Sequence, residues 1–212
     1  MRQNDKKTQC HECLICHKNL EEEVSVRRFF EPFPICLECL SKFDRRDQVF
    51  DLDGLPVRVL YYYNEFFRSL LFQYKGQYDY ALKDAFLVND VRDLKMMTRE
   101  MVVAVAPSEK KANEKRLFAP NVEIVKTFSH HIFKGLYKKK AYKQSDHDFQ
   151  SRKDVREVIG IDHGEALNGK DVLLFDDVIT SGETLKTCAR LIRLYDPASL
   201  SALVLSSHAF FS

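Results

Sequence analysis

A chain of 212 residues, 45% of them hydrophobic, is long enough for one medium domain, or one domain with a small appendage. Its net charge of +2 gives no overall nucleic-acid signature, and no apolar run approaches the ~18–20 residues of a membrane span. Charge is unevenly placed, however: residues 101–156 hold thirteen Lys and Arg against six Asp and Glu, a basic middle within an otherwise acidic chain. The opening MRQNDKKTQC is charged and has no apolar signal core, which predicts a soluble, cytoplasmic chain.

Five of the six cysteines lie before residue 40, and in a cytosolic chain that clustering points to a metal rather than to disulfides. Cys13-Leu-Ile-Cys16 and Cys36-Leu-Glu-Cys39 are two C-x2-C knuckles nineteen residues apart, able to close a tetrahedral structural Zn2+ site. Four thiolates leave no open position for catalysis. Cys10 is a fifth thiol, read as free or alternative, and His11 and His17 are read as neighbours rather than ligands. Residues 1–48 are therefore expected to be a metal-folded module, since so short a stretch cannot bury a sufficient core alone.

Residues 49–56, VFDLDGLP, read as a linker or turn. Val57 to Tyr63 has the pattern of a strand. Asn64 should cap a helix that carries Phe66, Phe67, Leu70, Leu71 and Tyr74 on one face and ends at Gly76. A second helix is expected from about Asp79. Met101 to Ala106 reads as a buried strand, ending in the loop Pro107-Ser108-Glu109-Lys110-Lys111. Residues 112–120 read as a helical or irregular connection, and Val122 to Val125 as a short strand. In KGLYKKKAYK (134–143), Lys138, Lys139 and Lys140 stand between Tyr137 and Tyr142. Lysines neutralise phosphates and aromatic rings stack on unpaired bases, so this is the candidate contact for single-stranded nucleic acid; a solvated loop would have the same composition.

Asp171 to Thr187, DVLLFDDVITSGETLKT, carries the densest chemistry. Val172 to Phe175 suits a fully buried strand. Asp176 and Asp177 follow, then the small polar loop Thr180-Ser181-Gly182-Glu183-Thr184. Leu185, Cys188, Ala189, Ile192 and Tyr195 then fall at helical spacing, and Leu200 to Ser206 gives a last strand. Ligands of parallel sheets sit at the carboxyl ends of strands. Ionised Asp accepts hydrogen bonds from sugar hydroxyls or from Mg2+-bound water. The N–H groups opening a helix favour an anion. Together these describe a ribose-5-phosphate pocket. An apolar run ending in Asp-Asp also matches the second motif of P-loop ATPases. The companion stretch from Gly164 to Lys170, however, is followed by Asp171 and leads into a strand, whereas a P-loop leaves one.

The stretch resembles the phosphoribosyl diphosphate (PRPP) motif of type I phosphoribosyltransferases. The likeness implies that Asp176 and Asp177 hold the ribose and act as the catalytic pair, and that Thr180, Ser181, Gly182, Glu183 and Thr184 wrap the 5-phosphate. It further implies that Ser108, Lys110 and Lys111 reach the diphosphate, that the run through Arg152 to Arg156 forms a hood, and that Mg2+ accompanies PRPP if the site is active. With Cys13-Leu-Ile-Cys16, Tyr62-Tyr63-Asn64, Gln73-Tyr74-Lys75 and Lys143-Gln144-Ser145, the whole chain resembles the ComF family, most closely its ComFC members. That resemblance implies an α/β fold: a mostly parallel sheet of type I phosphoribosyltransferase type over residues 49–212, flanked by helices and preceded by the zinc module. It implies a role in natural competence, at the cytoplasmic face of the DNA-uptake machinery, with single-stranded DNA and a ComFA-type ATPase as partners. An active phosphoribosyltransferase acting on an unidentified base or amine is the alternative. Where many members of the family have Arg-Gly-Phe-Asn, this chain has Arg116-Leu-Phe-Ala-Pro-Asn121.

Overall fold

The computed structural model describes residues 11–23, 33–139 and 158–207. Its centre is a six-stranded sheet in the order β1-β2-β8-β7-β3-β4, formed by β1 (Arg45–Asp51), β2 (Pro56–Tyr62), β3 (Val102–Val105), β4 (Ile132–Phe133), β7 (Asp171–Ile179) and β8 (Ser199–Ser207). Only β1 is antiparallel to its neighbour; β2, β8, β7, β3 and β4 all run parallel. A separate antiparallel ribbon pairs β5 (Leu136–Lys139) with β6 (Val158–Ile161). The helices are α1 (Leu37–Ser41), α2 (Glu65–Gly76), α3 (Val91–Met97), α4 (Lys110–Arg116), α5 (Pro120–Val125) and α6 (Glu183–Arg193). The architecture is α/β, with helices on both faces of a mostly parallel sheet and a four-cysteine cluster near its start. None of the described helices is long and apolar enough to cross a membrane.

Strand β7 is apolar on both faces because both are covered. Leu173 and Phe175 join one apolar cluster with Tyr61, Phe67, Phe86 and Leu205, and the cysteine segment packs into that same cluster through Cys13, Ile35, Cys36, Cys39 and Phe43. Val172 and Leu174 face the other side, with Leu185, Cys188 and Ile192 of α6 and with Leu52 and Leu55. Near the first cluster, Asp90 is 2% exposed, and both of its oxygens take guanidinium bonds from Arg45 at 2.6 Å. The Tyr61 hydroxyl lies 3.1 Å from the same carboxylate. This burial is tolerable because the charge is paired and hydrogen-bonded.

Asn64 caps α2 as expected, its side chain accepting from the Phe67 N–H at 2.8 Å. The strands at 57–63, 101–106 and 200–206 and the helix after Thr184 are also present.

Two local expectations fail. Val122 to Val125 is not a strand but part of α5: Pro120 occupies the first turn, where its missing N–H costs nothing, and the place beside β3 is taken by β4. The helix expected from Asp79 is a 3-10 turn, Tyr80–Asp84, after which Ala85, Phe86 and Leu87 are buried in succession, as one face of an α-helix does not allow. Of the two readings of 49–56, linker or turn, the structure has the turn: β1 runs to Asp51 and turns into β2 through Asp53 (φ +53°) and Gly54 (φ +76°). Two consecutive positive φ values are what a tight two-residue hairpin requires.

Candidate functional site

The apolar strand predicted at Val172 to Phe175 continues through Asp176 and Asp177 to Ile179, so the acidic pair lies within the carboxyl end of β7 rather than after it. Asp176 pairs in register with Val204 of β8. On the other side Val105 pairs with Phe175, and the Ala106 N–H donates to the Phe175 carbonyl at 2.8 Å. The Pro107–Lys111 loop therefore leaves the sheet next to the acidic pair.

Asp177 is 8% exposed, and its Oδ2 holds the Lys75 ammonium, contributed by the last turn of α2. Asp176 Oδ1 accepts the Asn121 amide Nδ2–H at 2.9 Å and the Asp177 backbone N–H at 2.9 Å. Burial, then the charge of Asp177, pushes the Asp176 carboxyl up from its ordinary value. Burial works in the same direction on Asp177. There the Lys75 charge and hydrogen bond outweigh it and hold the group below the carboxylate range. On the α6 side, burial and then Asp176 push the Cys188 thiol up to about 12.

The loop after β7 exposes Thr180, Ser181 and Glu183, half-buries Thr184 and buries Gly182. Gly182 caps α6 at φ +78°, and a Cβ there would meet the Leu52 δ-carbons at 3.1 Å. Gly182 has no side chain to cap α6, and of the first-turn N–H groups only that of Glu183 meets a side chain, the Ser181 hydroxyl at 3.5 Å; the others remain directed out of the helix end. The β1–β2 turn braces this end: Asp53 pairs with Lys186 at 2.9 Å, and Arg193 donates to the Gly54 carbonyl at 2.6 Å. Loop hydroxyls, open helix N–H groups and a buried carboxylate pair thus share one end of the sheet.

Of the residues expected at the diphosphate, the Ser108 hydroxyl accepts from Asn113 Nδ2 at 2.6 Å, and Lys110 lies 4.0 Å from Glu114 on its own helix, almost fully exposed. Lys75 and Asn121 had not been singled out as site residues. A lysine in a last helical turn reads as a solvated partner of the helix dipole, and Asn121 stood only as the end of the Arg116–Asn121 run that departs from the family pattern. Only the tertiary fold brings them to β7. Tyr137 and Lys138 stand on β5, with Tyr137 37% exposed. The Lys139 side chain, Lys140, Tyr142, the Lys143-Gln144-Ser145 run, Arg152 and Cys10 lie outside the described residues.

The second cluster is Cys13, Cys16, Cys36 and Cys39, whose sulfurs all lie within 4.8 Å of one another. Cys16 and Cys36 are 3.6 Å apart, against about 3.8 Å for the edge of a tetrahedron with metal–sulfur bonds of ~2.3 Å. Backbone N–H groups already point at the sulfurs: Cys36 N–H to Cys13 Sγ at 3.2 Å, and Cys39 N–H to Cys36 Sγ at 3.3 Å. Burial and the neighbouring sulfurs push the Cys39 thiol far up, so without a cation the set cannot all ionise. Donor type, spacing and N–H···S support fit a metal ion such as zinc. The acidic pair does not fit a divalent cation: Asp177 is already neutralised by Lys75.

No family model matches the chain. Hypoxanthine-guanine phosphoribosyltransferases of Homo sapiens and Macaca fascicularis are each 44% identical to it over 48 residues, or 23% of this chain. The match spans 22% of the length of those relatives. Among solved structures, a purine phosphoribosyltransferase from Pyrococcus horikoshii Ot3 aligns with 61% of this chain and 76% of its own, at 19% identity and a TM-score of 0.40. A hypoxanthine-guanine phosphoribosyltransferase from Bacillus anthracis aligns with 60% of this chain and 70% of its own, at 17% identity and a TM-score of 0.38.

Proposed function

We propose that the chain is a type I phosphoribosyltransferase-like protein that binds PRPP or a related ribose phosphate at the end of β7. The observation that carries this reading is the unbroken run from buried strand, through Asp176 and Asp177, into the Gly182 loop and the sparsely capped start of α6. Asp176 and Asp177 would accept the ribose hydroxyls. Thr180, Ser181, Thr184 and the first N–H groups of α6 would take the 5-phosphate, and Ser108 and Lys110 would face the diphosphate. In a turnover, pyrophosphate leaves ribose C1 with the bonding electron pair, a base or amine nitrogen attacks C1, and that nitrogen then gives up its proton. The protein's share is positioning and electrostatics. Calorimetry with PRPP should show binding that Asp177→Asn abolishes, and base-dependent pyrophosphate release would establish turnover. Heat without any binding signal across the accessible PRPP range would remove the reading.

A narrower role is a ComFC-like competence protein that handles single-stranded DNA beside a ComFA-type ATPase during uptake. It is favoured by the four-cysteine cluster ahead of the pocket and by the half-exposed Tyr137 beside Lys138. Residues 1–48, holding Zn2+, would be a docking surface on a domain of residues 49–212, with β1 shared across the division. Gel-shift binding of single-stranded DNA should fall strongly when Lys138, Lys139 and Lys140 become Glu; unchanged binding would take that patch out of the reading.

A further inference from the structure

The acidic pair is enclosed by two side chains from distant elements, an ammonium from α2 and an amide from α5. Lys75 is less buried than its partner, 27% against 12% by side chain, so it reaches Asp177 from the solvent side. Asn121 is 5% exposed, and while its Nδ2–H donates to Asp176, its Oδ1 is buried with no partner among the described residues. An amide oxygen left bare at this depth is costly to the fold. It is also an acceptor for a hydroxyl arriving at the pair. Mg2+ would find little here: it wants about six oxygens in octahedral geometry, commonly one or two of them carboxylates. To bind, it would have to pull a buried carboxylate from an ammonium that already compensates its charge.

We infer that Lys75 is the built-in cation of the ribose site, holding Asp177 ionised and oriented toward the sugar hydroxyls, so that the ribose 5-phosphate moiety binds without a divalent metal. Asn121 completes the arrangement by fixing Asp176 and offering its Oδ1 to a sugar O–H. Any Mg2+ of a PRPP complex then belongs to the diphosphate oxygens and not to the acidic pair. The inference rests on the ribose-phosphate reading proposed for this site.

The test uses ribose 5-phosphate, which lacks the diphosphate, in calorimetry on the full chain. Wild-type affinity in EDTA and in excess Mg2+ should agree within about twofold. Lys75→Gln should lose about tenfold in EDTA, the size of one charge-assisted hydrogen bond, and regain part of it with Mg2+. Lys75→Arg should keep the metal independence. Wild-type binding that requires Mg2+ would overturn the inference and leave the ribose-phosphate reading standing. So would Lys75→Gln binding in EDTA like the wild type. No binding in either buffer would overturn both. The wild-type comparison decides the matter even if Lys75→Gln fails to fold.

Discussion

The cysteine cluster and the acidic pair are built on opposite plans. The cysteines supply their own geometry: four like side chains from two short knuckles meet within 4.8 Å, and their N–H···S partners come from the same knuckles. The acidic pair draws its partners from elsewhere. Lys75 is 102 residues from Asp177, and Asn121 is 55 from Asp176. A metal site can be local because one ion supplies all the compensating charge. The acidic pair is balanced by an ammonium and an amide from distant helices, and only the assembled fold can set that balance.

The largest expected effect is at the cysteines. Three of them, Cys13, Cys36 and Cys39, lie in the same apolar cluster as Tyr61 and Phe67, so loss of the metal should loosen the core and not only the knuckles. Cys39→Ser, or extraction with a strong chelator, should release about one zinc per chain and lower the thermal midpoint by more than ~10 °C. Elemental analysis and a melting curve on the same sample check it. An unchanged midpoint in protein free of metal would make the cluster four packed thiols with no metal role, and the contrast with the acidic pair would vanish.

These plans also explain what could be read beforehand. The C-x2-C spacing and the run from Val172 to Thr184 carry their meaning locally, and both lie together as expected. The parallel strands were legible because burial on two faces leaves continuous apolar runs. Val122 to Val125 was not: those strand-forming residues follow Pro120 and fold as a helix, and the place beside β3 is taken by β4. Lys75 and Asn121 stood in runs quoted only for the family resemblance, and nothing in those runs says that the end of α2 and the start of α5 lie beside β7. The brace on the loop after β7 was not legible either: 49–56 read as a linker or turn, and nothing in it says that Leu52 and Asp53 meet Gly182 and Lys186.

That brace gives a middle-sized effect. Gly182 sits at φ +78°, with the Leu52 δ-carbons where a Cβ would press. Gly182→Ala should cost about 1–2 kcal/mol of stability for the left-handed backbone. It should also weaken ribose 5-phosphate by about tenfold or more as the loop shifts, since misplacements near 1 Å can cost that much. Urea unfolding and calorimetry measure the two. Lost stability with intact binding would mean that the loop is held by something other than this turn.

The smallest effect, and the most specific to the acidic plan, is a gain. Asp176 binds its proton more tightly in the folded chain than an ordinary carboxyl does, because of burial and then because of Asp177. A group with a raised folded value takes stability away as pH rises above the ordinary carboxylate range of ~3.9, and the loss is complete above the folded value. Asp177 has the opposite sign: held down by Lys75, it adds stability above that range and loses it as pH falls through its folded value. Asp176→Asn removes only the first contribution and keeps an oxygen to accept from Asn121. The variant should therefore be more stable than the wild type by about 1 kcal/mol near neutral pH. The difference should shrink toward zero by about pH 4, while ribose 5-phosphate binding is lost at both. Urea unfolding at the two pH values reads the sign directly. A loss of stability independent of pH would make Asp176 a structural acceptor like the cysteines' own partners. A gain confined to neutral pH would mean that the fold keeps this carboxylate at its own expense, as expected of a group that waits for a ligand.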